Sequence, residues 1–480
     1  MSNIEVDVAI IGAGSAGMAA YRAARRHTDS ILLMEGDAYG TTCARVGCMP
    51  SKLLIAAANA ADDARRGAMF GLRIAPPVPD GERIMARVRS ERDRFVGLVA
   101  STVEAWPRSH RIDSRARFVA PNTLSFGDGR LVHAARIVIA TGSHPVVPAE
   151  WLGSVGNRLI VSDDIFEWER LPESVLVIGT GAIGLEMGQA LHRLGVRVRI
   201  LSHGLRLGGL TDPDLTGHAR KVLSEDMPLS QPAHIDRLER AGESVVVEYS
   251  QNSGLRAREQ FDYVLVAAGR SPNVIDLGLE SAGMDLDARG VPVSDPETTR
   301  VGNSAVFMAG DVSGRRPLLH EAADEGRIAG DNAGRYPDVR RRPRRAGLSI
   351  VFTEPQIASA GRTHAELEAS GVDFAVAELD FSDQGRSRVM GRNRGLLRVY
   401  AEVETGRFLG AEMIAPDAEH LAHLLAWAVQ AGLTVQQMLD SPYYHPVVEE
   451  GVRTALRLLQ RKLAVPVGAI ESCLDCDGLA

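Results

Sequence analysis

The chain has 480 residues, more than one ordinary core can organise, so two to four domains are expected. Its 45% apolar and 24% charged composition is that of a soluble globular protein, and a net charge of −7 without a basic excess argues against a nucleic-acid partner. No apolar run approaches the ~18 residues of a membrane span, so no membrane partner is expected. The opening MSNIEVDVAIIG enters a strand-like run within a few residues. It carries neither the basic region, apolar segment and cleavage site of an export signal nor an Arg-rich transit peptide. The expected compartment is cytoplasmic and reducing. There, a cysteine pair is more often catalytic or metal-binding than structural.

Residues 6–17, VDVAIIGAGSAG, read as a short buried strand running into a Gly-x-Gly-x-x-Gly turn at Gly12, Gly14 and Gly17, followed by a helix over 18–26. Such a turn cradles a pyrophosphate on backbone N–H groups at a helix N-terminus. Eighteen residues after Gly17, Glu35 ends the next strand, where a carboxylate accepts from a ribose 2′-hydroxyl; FAD or NAD suits it.

Next comes GTTCARVGCMPSK, residues 40–52, with two of the four cysteines in the chain. In a regular helix, positions i and i+5 lie roughly 7.5 Å apart along the axis and point in different directions. A disulfide needs Cα atoms within ~7 Å, so Cys43 and Cys48 can bridge only through irregular backbone. Gly47 would permit that, and Pro50 favours a helix that begins near it. A metal site is disfavoured, because one pair without nearby Cys or His is a poor zinc set. A helix N-terminus lowers a thiol pKa, so a redox couple is preferred over an inert or structural pair.

Residues 137–142, IVIATG, are an apolar strand ending in a glycine turn. The opening grammar then recurs at 175–184, VLVIGTGAIG, with glycines at 179, 181 and 184, a helix over 185–194 and a strand over 196–201. One such turn is weak evidence; two in matched strand–helix contexts indicate two nucleotide-binding domains. Eighteen residues after Gly184 stands Ser202, followed by His203 and Arg206. A carboxylate there would repel a 2′-phosphate, whereas these residues can bond or pair with one, so the second site leans towards NADP over NAD.

Residues 263–270 and 304–311 are further apolar strands ending in glycine turns, the latter with Asp311 just past its end. RRRPRR, residues 340–345, reads as a Pro-broken, solvated basic linker in preference to a docking patch. Beyond about 348, strands over 395–402 and 408–414 and amphipathic helices over 421–431 and 447–459 indicate an α+β unit. His445-Pro-Val-Val-Glu-Glu450 offers an imidazole with a carboxylate to orient it, though in isolation His-Pro reads as a turn before a helix. The tail, ESCLDCDGLA at 471–480, holds a second dithiol, Cys473 and Cys476.

GTTCARVGCMPSK resembles the active-site signature of the flavin- and pyridine-nucleotide-dependent disulfide oxidoreductases: dihydrolipoamide dehydrogenase, glutathione reductase, mercuric reductase and their relatives. The resemblance runs in order through GAGSAG at 12–17, ATGSHP at 140–145, GTGAIGLEMG at 179–188, AAGRSPN at 267–273, MAGDVSG at 308–314 and YHPVVEE at 444–450. It is nearest overall to dihydrolipoamide dehydrogenase.

The resemblance implies an α/β fold with two Rossmann-like domains, for FAD and NAD(P), and an α+β C-terminal dimerisation domain. Expected boundaries are 1–147 and 273–342 for the two parts of the FAD domain, 148–272 for the NAD(P) domain, 343–470 for dimerisation and 471–480 for a flexible tail. Cys43 would be the interchange thiol and Cys48 the thiolate against the flavin. Lys52 would sit near the flavin N5 edge, paired with Glu186. Thr42, Lys52, Thr141, Gly142, Gly269, Arg270, Gly310 and Asp311 would join the glycine turns as cofactor-binding positions, with Asp311 near the ribityl or pyrophosphate. No metal is expected.

His445 and Glu450 would act across a two-fold axis on the partner's cysteines, making the homodimer obligatory. The implied substrate is a dithiol or disulfide such as lipoamide, free or on a lipoyl-bearing protein. Three alternatives stand beside it. An NADPH-dependent reductase of another disulfide or a metal ion could use Cys473 and Cys476 as a shuttle. A transhydrogenase would need no cysteine pair, and a non-catalytic flavoprotein subunit leaves the redox residues unexplained. Thr41 stands where a second glycine is commoner in that signature, and Arg45 where asparagine is.

Overall fold

The computed structural model describes residues 3–127 and 129–465; the tail dithiol Cys473 and Cys476 lies outside them. The strand Ile4–Ile11 buries its last four residues and pairs in parallel with Ile31–Glu35 on one side and Arg130–Ile139 on the other. A strand flanked on both edges must be apolar on both faces, which is why it reads as a continuous run without alternation. Arg111–Asp113 extends the sheet beyond Ile31–Glu35. On the far side Val306–Met308 pairs in parallel with Arg130–Ile139, so the chain returns to this sheet after building another.

That second sheet is parallel, in the order Leu229–Ser230, Arg197–Leu201, Ser174–Ile178, Tyr263–Val266 and Leu159–Ile160. An antiparallel sheet of Ala233–Ala241, Ser244–Gln251 and Arg256–Phe261 packs on it through Leu238, Val245, Val247 and Phe261. The third unit is a five-stranded antiparallel sheet, Leu348–Val351, Gln356–Gly361, Phe408–Ala415, Leu396–Glu402 and Phe374–Asp380 in spatial order. The helices Ala418–Ala431 and Glu450–Gln460 cover it. The last helix starts three residues later than expected, because 444–449 form an irregular turn that carries His445.

Two features fix where the functional groups lie. The helix Leu319–Arg335 crosses Ser15–Ala24 at backbone contact: a Cβ on Gly326 or Gly330 would fall 2.1 Å from the Ala16 or Ala20 carbonyl oxygen. This crossing brings Gly310 and Asp311 beside the first glycine turn. The helix Cys48–Arg66 begins at Cys48 and buries Leu54, Ile55 and Ala58 in a core shared with Leu185 and Leu191 of Ala182–Arg193 and with Ile357 and Ile414 of the third sheet. One apolar core therefore joins all three units.

The RRRPRR stretch is an irregular connection between Leu319–Arg335 and Leu348–Val351, as expected, and it is also ion-paired. Arg341 bonds Glu297 at 2.7 Å, Arg342 reaches Asp331 at 3.4 Å, Arg345 reaches Asp324 at 3.4 Å, and Arg344 bonds Glu321. Glu321, Asp324 and Glu325 of Leu319–Arg335 are buried, and buried carboxylates require cations. The basic run is an ion-paired seam.

Candidate active site

The two glycine turns share one geometry. Gly12 has φ +103°, and a Cβ there would fall 2.4 Å from the Ala140 carbonyl oxygen; a Cβ on Gly17 would fall 1.8 Å from the Gly12 oxygen. Gly179 has φ +117° and would meet the Ala267 oxygen at 2.3 Å, while Gly184 would meet the Gly179 oxygen at 2.1 Å. The middle glycines, Gly14 and Gly181, face open space, with nothing within 4 Å of such a Cβ. Each turn thus closes tightly at two positions, opens at one, and leads into a helix, Ser15–Ala24 or Ala182–Arg193, whose first N–H groups are free to bind an anion. This architecture fits a dinucleotide at each turn. Glu35 ends its strand with its carboxylate accepting from Ala13 N at 2.7 Å and Asp37 N at 3.0 Å, which fixes it at the rim of the first turn.

Two cavities meet at the first turn. One, of about 580 Å³, runs past Gly12, Gly14, Glu35, Thr42, Thr141 and Gly142. The other, of about 280 Å³, is lined by Cys43, Cys48, Lys52, Glu186, Arg270 and Asp311. Gly14, Thr42, Ala140 and Gly142 line both, so they form one trough. Residues 140–143 are pinned by Asn273, which sequence reasoning left without a role: Thr141 Oγ1 donates to its carbonyl at 2.7 Å, and its side-chain amide donates to the Thr141 carbonyl at 2.8 Å. Arg270 Nε donates to Ser143 Oγ at 2.9 Å, and that hydroxyl donates to Asp311 at 2.9 Å, tying the two charged cavity groups together. Gly269 accepts from Val146 N at 3.0 Å beside them, and the Gly310 N–H donates to buried Glu325 at 2.8 Å.

The cysteines sit on either side of a helix break. Cys43 lies in the four-residue helix Thr42–Arg45, capped by the Thr41 hydroxyl, and Cys48 starts the next helix after Gly47. A Cβ on Gly47 would come within 3.2 Å of Cys43 Cα, so the backbone irregularity that the spacing demanded is present. Both are thiols in this structure. The Cys43 thiol, hydrogen-bonded towards the Cys48 sulfur and partly withdrawn from solvent, is pushed well above the usual thiol range. Cys48, accepting that bond and facing the Lys52 ammonium one turn along its helix, is held down at about 7. The two thiols are thus unequal, Cys43 holding its proton more tightly than Cys48.

Lys52 Nζ bonds Glu186 Oε2 at 2.7 Å and lies 4.5 Å from the centre of the Phe352 ring. Glu186 is 6% exposed, and its other oxygen accepts from the Phe352 N–H at 3.0 Å. His445 Nδ1 lies 2.9 Å from Glu450 Oε1, and the Val447 N–H donates to the same carboxylate at 3.2 Å. The His445 side chain is 69% exposed and lines neither cavity of its own chain. Ser202 is 3.0 Å from the Thr180 hydroxyl at the second turn. His203 and Arg206 are exposed on a loop whose carbonyls at Gly204 and Arg206 accept from Gln231 at 2.6 and 2.8 Å. Sequence reading missed Gln231 and also His234, whose ring stands edge-on to His203 at 5.8 Å. Neither lies in a recognisable motif. Among the described residues no helix is long and apolar enough to cross a membrane.

The pyridine nucleotide-disulphide oxidoreductase family matches residues 6–326, and the dimerisation domain of that family matches residues 348–456. A dihydrolipoyl dehydrogenase of Haloferax volcanii is 32% identical, over 94% of this chain and 95% of its own. A mercuric reductase of Streptomyces lividans is 30% identical, over 97% of this chain and 98% of its own. Among solved structures, LpdA of Mycobacterium tuberculosis aligns with a TM-score of 0.79 at 25% identity, covering 94% of this chain and 99% of that one. The HOCl-induced flavoprotein disulfide reductase RclA of Escherichia coli shares the fold, with a TM-score of 0.77 at 24% identity over 94% of this chain and 100% of that one.

Proposed function

Because the chain belongs to the pyridine nucleotide-disulphide oxidoreductase family, whose members bind FAD and NAD(P)H, we propose that it passes electrons between NAD(P)H and a dithiol or disulfide of the lipoamide type through the Cys43–Cys48 couple. The observation that carries this reading is the shared trough. The thiols line a cavity that continues into the first glycine turn and is walled by Ala182, Ile183 and Glu186 of the helix that follows the second.

FAD, when bound, supplies the two-electron exchange that links a nicotinamide hydride to a thiol pair. The sulfur chemistry belongs to the chain. In the reductive direction Cys43, once deprotonated, attacks a substrate disulfide, forming one S–S bond and releasing one substrate thiolate. Cys48 then attacks the Cys43 sulfur, releasing the second substrate thiolate and leaving the Cys43–Cys48 disulfide. With a dithiol substrate the same steps run backwards, and the enzyme pair gains the two electrons. Cys43 holds its proton tightly and so needs a base. His445, oriented through Nδ1 by Glu450, would take that proton and return it to the departing thiolate. Its position outside the trough of its own chain suits a base supplied by a second copy in a homodimer.

The test is a thiol count. Anaerobic NAD(P)H should add two titratable thiols per chain to the oxidised full-length enzyme. Cys43→Ser and Cys48→Ser should each abolish both that gain and lipoamide turnover. Lipoamide turnover surviving in either variant would sink the proposal.

A specific observation favours NADPH as the nicotinamide partner, and with it a disulfide-reducing direction. The residue at the ribose position is Ser202, and the adjoining loop presents His203 and Arg206 with His234 close by. A 2′-phosphate would meet hydrogen-bond donors and a cation there, with no carboxylate at the strand end. Direct titration with 2′,5′-ADP and 5′-AMP tests this: tighter binding of 5′-AMP would remove it. A panel of lipoamide, glutathione disulfide and Hg²⁺ then ranks the substrates.

A further inference from the structure

Lys52 is held from more than one side, and one of those sides belongs to the dimerisation domain of its own chain. A lysine on a flexible four-carbon stem is poorly fixed by one ion pair, and this one is 33% exposed at the side chain. Its ammonium meets Glu186 Oε2 at 2.7 Å, while the Phe352 ring lies 4.5 Å away, within the ~6 Å reach of a cation–π contact. The same residue fixes the carboxylate, because the Phe352 N–H donates to Glu186 Oε1 at 3.0 Å. One turn further along Ala182–Arg193, Gln189 accepts from Glu354 N at 2.8 Å and donates to the Glu354 carbonyl at 3.0 Å. The segment 352–354 is therefore bolted to the helix that carries Glu186.

We propose that Phe352 is a positioning residue for the thiol chemistry: its ring holds the Lys52 ammonium beside Glu186 and so keeps a positive charge next to Cys48. The proposal rests on reading Cys43 and Cys48 as a working couple. The charged and titratable groups facing Cys48 are Cys43 from the short helix, Lys52 from its own helix and Glu186 from the helix of the second unit. Arg270 and Asp311 share the cavity but are joined through Ser143. Among these, Lys52 favours the thiolate and Glu186 opposes it. A second carboxylate on Lys52 would cancel more of its field at Cys48. An aromatic face restrains the cation without adding negative charge, which is the physical reason for a phenyl ring at this place.

The experiment follows the pH dependence of the long-wavelength thiolate-to-flavin absorbance in the two-electron-reduced, full-length holoenzyme. Wild type should show a band, reporting the Cys48 thiolate, with a midpoint near neutrality. Phe352→Leu should raise that midpoint by about half a pH unit, while Phe352→Tyr, which keeps the ring face, should restore it. In a Lys52→Gln background, Phe352→Leu should shift nothing further. An unmoved midpoint in Phe352→Leu overturns the proposal, as does a shift in Phe352→Tyr equal to that of leucine, or a full shift that persists without Lys52. If no wild-type thiol titrates near neutrality, the couple itself fails, and this inference falls with it.

Discussion

Lys52 and Glu186, 134 residues apart in the chain, meet at 2.7 Å and join the helix that carries Cys48 to the helix that follows the second glycine turn. The two partners act on Cys48 with opposite sign: the ammonium lowers its pKa and the carboxylate raises it. Lys52→Gln should therefore raise the Cys48 midpoint, read from the thiolate-to-flavin absorbance, above its value of about 7, so that less thiolate is present at neutral pH. Glu186→Gln should lower it. Shifts of about half to one pH unit are expected in each case, measured on the reduced enzyme. Equal signs for the two variants would contradict this electrostatic account.

Cys43 acts on Cys48 mainly through a hydrogen bond. Cys43→Ser keeps a donor and should leave the Cys48 midpoint near neutrality. Cys43→Ala removes the donor and should raise it by about one unit. Both variants should lose disulfide turnover, so the comparison separates the bond from the chemistry.

The glycines of the first turn make different predictions. A Cβ on Gly17 would overlap the Gly12 carbonyl, a backbone atom that cannot swing aside. Gly17→Ala should cost at least ~3 kcal/mol and yield protein depleted of flavin. At Gly14 the space is open, so Gly14→Ala should keep its circular dichroism and Tm while its flavin absorbance per chain falls.

Ser202→Glu would restore the carboxylate that binds a plain ribose and repels a 2′-phosphate. The NADPH-to-NADH ratio of kcat/KM should fall at least ~10-fold. Arg206→Ala should lower the same ratio by weakening NADPH alone. An unchanged ratio in both would remove the loop from the specificity argument.

His445→Ala should lower thiol turnover by roughly two orders of magnitude or more, within the range of a lost general acid–base, with flavin content intact. Glu450→Gln removes the carboxylate that orients Nδ1 and should cost about tenfold. If His445 serves a second copy, mixing inactive His445→Ala with inactive Cys43→Ser chains should recover activity as heterodimers form. No recovery would place its action within one chain.

How much could be read in advance depended on how local the cause was. Gly12, Gly14 and Gly17 sit within six residues and obey one turn's geometry, so the pattern was legible twice over. The thiol spacing was legible too, because helix geometry lets Cys43 and Cys48 meet only across irregular backbone. The pairing of Lys52 with Glu186 came only through family resemblance, since nothing in either segment points to the other. The basic run at 340–345 is the irregular connection its composition suggests, but its ion pairs with Glu297, Glu321, Asp324 and Asp331 were not legible, because no local pattern points from the run to those carboxylates.

By itself the sequence determined the two glycine turns, the closely spaced cysteine pair beside the first of them and the α/β class of the fold, because each is encoded by short-range backbone geometry or by a contiguous apolar pattern. Tertiary structure decided which side chain braces the loop after Ser202 and which ring meets Lys52. Those outcomes depend on distances of about 3 to 6 Å between segments remote in the chain, and no periodicity or local propensity carries that information.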